Sequence, residues 1–225
     1  FLAVTAFVLL LVAAIGAHRP PGSSAQPVPI REAVRGRTDF WLLYASTVFL
    51  SAALFTPFVF MADYIDTTGG SGSAAVLLGL IGIASVVGRL GFGAVAARFG
   101  LLRLYRGAFS ALTLSFLLWI IADTSYPILI AFALLLGVAY GGFISLSPAI
   151  IADRFGTVGM GGVLGALYTA AGLGGLVGPP TIGAIIDRAS HTAAQWTALV
   201  SGLISVVFLM AIQTPERRSD PPGLG

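Results

Sequence analysis

The stretch Ala74–Ala97 reads AAVLLGLIGIASVVGRLGFGAVAA, with Arg89 as its single charge. The hydrocarbon core of a bilayer takes about 20 apolar residues in helical form, and this stretch meets that length. Five others do so too: Phe40–Ala62, Leu104–Ala122, Pro127–Ala152, Gly161–Ile186 and Ala194–Gln213. The 225-residue chain is 57% hydrophobic and 9% charged, with a mean hydropathy of +0.96. A soluble domain carries roughly 25% charged residues. The composition therefore excludes a soluble enzyme, a nucleic-acid binder and a disordered protein.

What is missing narrows the chemistry further. With no Cys there are no disulfides, thiol nucleophiles or Cys-ligated metals. Only two His are present, so neither a metal site nor a metal cofactor is expected. The chain has no GxSxG, HExxH or P-loop, which removes the support for a hydrolase, protease or ATPase. Arg is used throughout and Lys never. That bias suggests a high-GC bacterial genome and hence a bacterial inner membrane.

The connections between spans are of two kinds. Gly16–Asp39 holds Pro20, Pro21, Pro27 and Pro29 among Gly and Ser and reads as a flexible central linker. The others are brief, so neighbouring helices run antiparallel and the loops alternate sides. Arg19, Arg31, Arg35, Arg37, Arg98, Arg103, Arg106, Arg154, Arg217 and Arg218 then fall at one face, and Arg188 alone at the other. By the positive-inside rule the linker and the C-terminal tail from Thr214 are cytoplasmic. Phe1–Ile15 is apolar but short and lacks the basic start of a signal peptide. It reads as the cut end of a longer helix. The expected organisation is thus a helix end at 1–15, a linker at 16–39, a six-helix bundle at 40–213 and a tail at 214–225.

Arg89 is the most informative residue. It lies roughly 12 Å inside the cytoplasmic end of its span at about 1.5 Å per residue, further than snorkelling reaches. An intramembrane cation needs water or a partner, and marks a functional site by default. Gly82, Ser85, Arg89 and Gly93 share a small, weakly polar face. Such a face suits an anion in a wet cavity, where a guanidinium grips a carboxylate bidentately. Pairing with a carboxylate or carbonyl elsewhere in the bundle is the alternative. Tyr140 is placed either to donate to a substrate oxygen or to satisfy a neighbouring helix. Tyr168 and Thr56 are weaker candidates. The Gly pairs 137/141, 161/165 and 174/178 allow close helix approach, and Pro57, Pro148, Pro179 and Pro180 predict kinks. The clusters at Arg98 and at Asp153-Arg154 lock inner helix ends together or simply anchor them.

These patterns resemble a known family. Gly93-x-x-x-Ala97-Arg98-Phe99-Gly100-x-x-Arg103 is similar to the major facilitator signature G-x-x-x-D-R-x-G-x-x-R, with Ala97 at the Asp position. Three further motifs occur in order: Phe55–Tyr64, Gly141–Gly156 and Leu176–Asp187, the last containing Gly-Pro-Pro-x-x-Gly-x-x-x-Asp. Together with Gly88-Arg89 they resemble the monocarboxylate transporters and their oxalate/formate-exchanger relatives. The resemblance implies an all-α polytopic membrane protein, the C-terminal six-helix bundle of a twelve-helix facilitator with the end of helix six. It implies secondary transport of small organic anions such as lactate or pyruvate, by symport with a proton or by antiport. Arg89 would bind the carboxylate, with Tyr140, Ser85 and Tyr168 lining the site. Arg98, Asp153, Arg154 and Asp187 would form the gating junction on the cytoplasmic side. Partners would be the bilayer and the missing N-terminal half. A facilitator-fold receptor or assembly subunit without transport, or a facilitator for a different solute, is the alternative.

Overall fold

The computed structural model describes residues 36–68 and 72–212. Six α-helices follow one another: α1 Thr38–Thr68, α2 Ala74–Phe99, α3 Leu101–Ala122, α4 Tyr126–Phe155, α5 Met160–Arg188 and α6 His191–Met210. All six are long and apolar enough to cross a membrane. No strand occurs among the described residues. The readings for Phe1–Ile15, for most of the linker and for the tail lie outside the described residues.

Several helices outrun the apolar stretches that announced them. α1 continues past Ala62 to Thr68 because Tyr64 and Ile65 still bury apolar surface. Thr67 and Thr68 then bond back onto the Asp63 and Tyr64 carbonyls. Between α2 and α3 only Gly100 intervenes, at φ +82. A side chain there would strain the backbone, so the sharp reversal needs glycine. The helices run without interruption through Pro57, Pro148, Pro179 and Pro180. Thr56, Ser147 and Thr181 each donate a hydroxyl to the carbonyl four residues back, beside a proline that has no N–H to give.

Packing repeats itself within the bundle. α1 lies chiefly against α5 and α6, and α4 chiefly against α2 and α3, while α3 and α6 meet each other. Exchanging α1, α2, α3 for α4, α5, α6 maps this pattern onto itself. In the short-loop alternation, α1 and α5 run in one direction and α2 and α4 in the other. Each of these two same-direction pairs is joined by small residues. A methyl group on Gly137 would lie 2.5 Å from the Ile81 carbonyl oxygen, and one on Gly178 would lie 2.6 Å from that of Ala52. Gly88 and Gly141 lie against Val138 and Ser85 just as closely. In lipid no hydrophobic effect drives helices together, so this close approach supplies the contact. Gly161 and Gly165 behave differently, with nothing among the described residues within 4 Å of a Cβ on either.

The core between α3 and α4 is aromatic, in two clusters: Tyr105, Phe109 and Phe143 in one, and Phe116, Trp119 and Phe132 in the other. Polar ties cross the other seam. Ser205 donates to the Ser46 carbonyl at 2.7 Å and Ser201 to that of Phe49 at 2.8 Å, joining α6 to α1.

Candidate functional site

Arg89 sits in α2 beside the closest helix contact of the bundle. Leu77, Ile81, Ala84, Ser85 and Gly88 form the buried face of α2. Arg89 comes about 100° further round the helix and is exposed. Gly82 and Gly93 flank it on that side, and a Cβ on either meets nothing within 4 Å among the described residues. The ion pairs among the described residues are Arg154–Asp39 and His191–Asp63, so neither involves Arg89. The four-residue face expected from the sequence is therefore only partly realised. Ser85 turns into the seam, where it is buried and donates to the Gly82 carbonyl at 2.7 Å.

Tyr140 occupies the matching place on α4. It precedes Gly141, where a methyl group would run into the Ser85 carbonyl and the Arg89 backbone nitrogen. Arg89 follows its contact residue and Tyr140 precedes its own, and the two helices run the same way. On right-handed helices those offsets turn both side chains to the same side of the seam. The Tyr140 ring meets Phe58 of α1 edge-on at 6.2 Å, and Phe58 lies 6.4 Å from Phe55. Phe55 in turn covers Gly175 of α5. An aromatic row thus runs from α4 across α1 to α5. Phe58 is one of several aromatics in its span, and nothing in the sequence singles it out. Tyr168 lies on the exposed side of α5, and its neighbour Thr169 shares a 3.2 Å hydrogen bond with Tyr44. Thr56 is buried and bonded within α1.

The arginine-bearing end of the bundle holds a second constellation. Arg154, whose side chain is 11% exposed, donates to Asp39 at 3.1 Å. Arg37 donates to the Arg154 carbonyl at 2.9 Å, and its guanidinium lies 5.4 Å from the Phe155 ring. Phe40 meets the same ring edge-on. These contacts tie the start of α1 to the end of α4, two helices that also meet further along at Phe58 and Tyr140. Asp39 was not foreseen as the partner; the signal available was an acidic residue in the first turn of a helix, where the dipole favours it. Arg98 and Asp153 are exposed and join no ion pair among the described residues. Asp187, expected at this junction, instead stands beside Arg188 in the last turn of α5, at the opposite end, because α5 crosses the whole bundle from Met160. Arg106 caps α6 instead, donating to the carbonyls of Leu209, Met210 and Ile212.

At the opposite end His191 opens α6, three residues ahead of the apolar stretch that begins at Ala194. Its Nε2 lies 3.3 Å from Asp63 and 3.1 Å from the Thr67 hydroxyl. No group of three or more His, Cys, Asp or Glu able to hold a metal occurs among the described residues.

Comparison with known proteins agrees with this architecture. The profile of the Major Facilitator Superfamily matches residues 92–224. The MFS transporter asaE of Aspergillus flavus is 31% identical over 83% of this chain and 44% of its own length. Monocarboxylate transporter 12 of Mus musculus is 27% identical over 82% of this chain and 41% of its own. Monocarboxylate transporter 3 of Rattus norvegicus is 29% identical over 87% and 41%. The chain spans less than half the length of these relatives. Six membrane-length helices, an internally repeated packing pattern and these matches together mean that the chain belongs to the major facilitator superfamily, and among its members it is similar to monocarboxylate transporters.

Proposed function

We propose that this chain is the C-terminal half of a secondary transporter for small organic anions, monocarboxylates such as lactate or pyruvate, working by alternating access. The observation that carries this reading is Arg89. Its guanidinium stands in a membrane span, exposed beside open glycines, with no carboxylate of the described residues paired to it. A charge at that depth costs several kcal/mol unless water or an anion meets it. A carboxylate would meet it with two parallel hydrogen bonds. The aromatic row of Tyr140, Phe58 and Phe55 would pack the short organic part, and the Tyr140 hydroxyl would donate to a substrate oxygen. Relatives named as monocarboxylate transporters support that chemistry.

The N-terminal half would cover the open face of α2 and α5, and rocking of the two halves would expose Arg89 to each side in turn. The arginine-bearing end would be cytoplasmic in a bacterial inner membrane, by the charge bias of its loops. There the Asp39–Arg154 pair would hold α1 and α4 as one body during the movement.

The test is labelled lactate and pyruvate flux into vesicles carrying the full-length protein. Arg89→Ala abolishes flux while the protein level stays unchanged. Unchanged flux overturns the assignment. Wild-type protein that binds the anion without moving it would be a receptor instead.

A further inference from the structure

A groove between α5 and α6 lies on the other side of α1 from Arg89. α1 packs against both helices, whereas α5 and α6 touch each other far less. A cleft of about 180 Å³ opens between them with α1 as its floor. Small residues make it: Ala52 and Ala53 below, Gly174 and Gly178 on α5, Ala198 and Ser201 on α6. Its few hydroxyls are already committed. Ser201 donates to the Phe49 carbonyl, Thr197 to Ala193 and Thr181 to Val177, each at 2.8 Å. The cleft therefore offers a ligand only hydrocarbon contact. Phe49 belongs to its floor, and Phe58 comes nine residues later, about 180° round the helix. The groove and the Arg89–Tyr140–Phe58 face are thus separate.

The groove continues toward the end of α5. Thr181 also lines a shallow depression with Pro180, Ala184, Ile185 and Arg188. Gly174 precedes Arg188 by about 21 Å along the axis at 1.5 Å per residue. One leaflet contributes about 15 Å of hydrocarbon, followed by headgroups. The cleft thus lies at acyl-chain depth, and Arg188 at headgroup depth. Arg188 is exposed and joins no ion pair among the described residues. It is also the one Arg among them at the end where every other arginine is avoided.

We propose that this groove holds one anionic phospholipid of that leaflet, its acyl chain in the α5–α6 cleft and its phosphate on Arg188. An apolar slot ending in a single guanidinium matches that molecule at both ends: dispersion contact for the chain and a bidentate fork for the phosphate.

The experiment is native mass spectrometry of the full-length protein taken from vesicles of equal phosphatidylglycerol and phosphatidylcholine. Wild-type protein retains phosphatidylglycerol preferentially. Arg188→Gln lowers that preference about fivefold, the weight of one arginine near a membrane surface. Val177→Trp, which puts an exposed groove-wall side chain into the cleft, lowers retention of both lipids. Added inorganic phosphate leaves the bound lipid in place. Equal retention by wild type and Arg188→Gln overturns the proposal. So does displacement by inorganic phosphate, which would make Arg188 a free-anion site.

Discussion

The bundle has two same-direction helix pairs, α2 with α4 and α1 with α5, built by one device and put to different ends. Both bring glycine against backbone: Gly88 and Gly141 in the first, Gly174 and Gly178 in the second. In the first pair the neighbouring volume is filled. Phe92 covers Gly142 and Ala84 meets Gly137, and the seam closes with Arg89 standing just outside it. In the second pair Ala52 and Ala53 are too small to reach α6, and an apolar cleft stays open. Close approach therefore sets where two helices cross. What the next residues do decides whether the crossing carries a charge or a groove.

Enlarging the glycines breaks this comparison most strongly where backbones touch. Gly141→Leu drives a side chain into the Ser85 carbonyl and the Arg89 backbone. Overpacking typically costs about 1–3 kcal/mol, and more when backbone must move, so we expect the full-length protein to lose its cooperative melt in detergent. Gly178→Ala is milder. Its methyl meets the Ala52 carbonyl at 2.6 Å, and the expected cost is about 1–3 kcal/mol, read as a lower Tm. Next comes Asp39→Ala. It strips the partner from Arg154, but Asp39 is itself 40% exposed and water offsets much of the loss. The expected drop in stability is about 1 kcal/mol, again measured as Tm. At the far end of the scale, Gly165→Ala touches nothing among the described residues and gains up to about 1 kcal/mol of helix propensity. Its Tm should hold or rise.

The spans were legible in the sequence because a bilayer imposes a length and a polarity that composition alone reveals. The two seam pairs, Gly137/Gly141 and Gly174/Gly178, were legible as spacing. Gly161/Gly165 has the same spacing and no neighbour among the described residues, since a four-residue repeat fixes a helix face and says nothing of what lies opposite. Arg89 stood out by its cost in lipid. Ser85 was placed on the same face by angle, yet its hydroxyl serves the Gly82 carbonyl, a local bond available to any serine in a helix. Phe58, Asp39 and Arg106 were hidden for one reason. Each acts through a partner more than forty residues away in the chain, and helix order alone does not give helix adjacency.

The central claim is that Arg89 receives a carboxylate. It is tested most directly by equilibrium binding of labelled pyruvate to purified full-length protein, wild type against Arg89→Ala, with Tm recorded for both. A charge-assisted pair is worth about 2 kcal/mol or more, so affinity should fall at least about thirtyfold while Tm stays within a degree or so of wild type. Equal affinity in the two proteins would contradict the account.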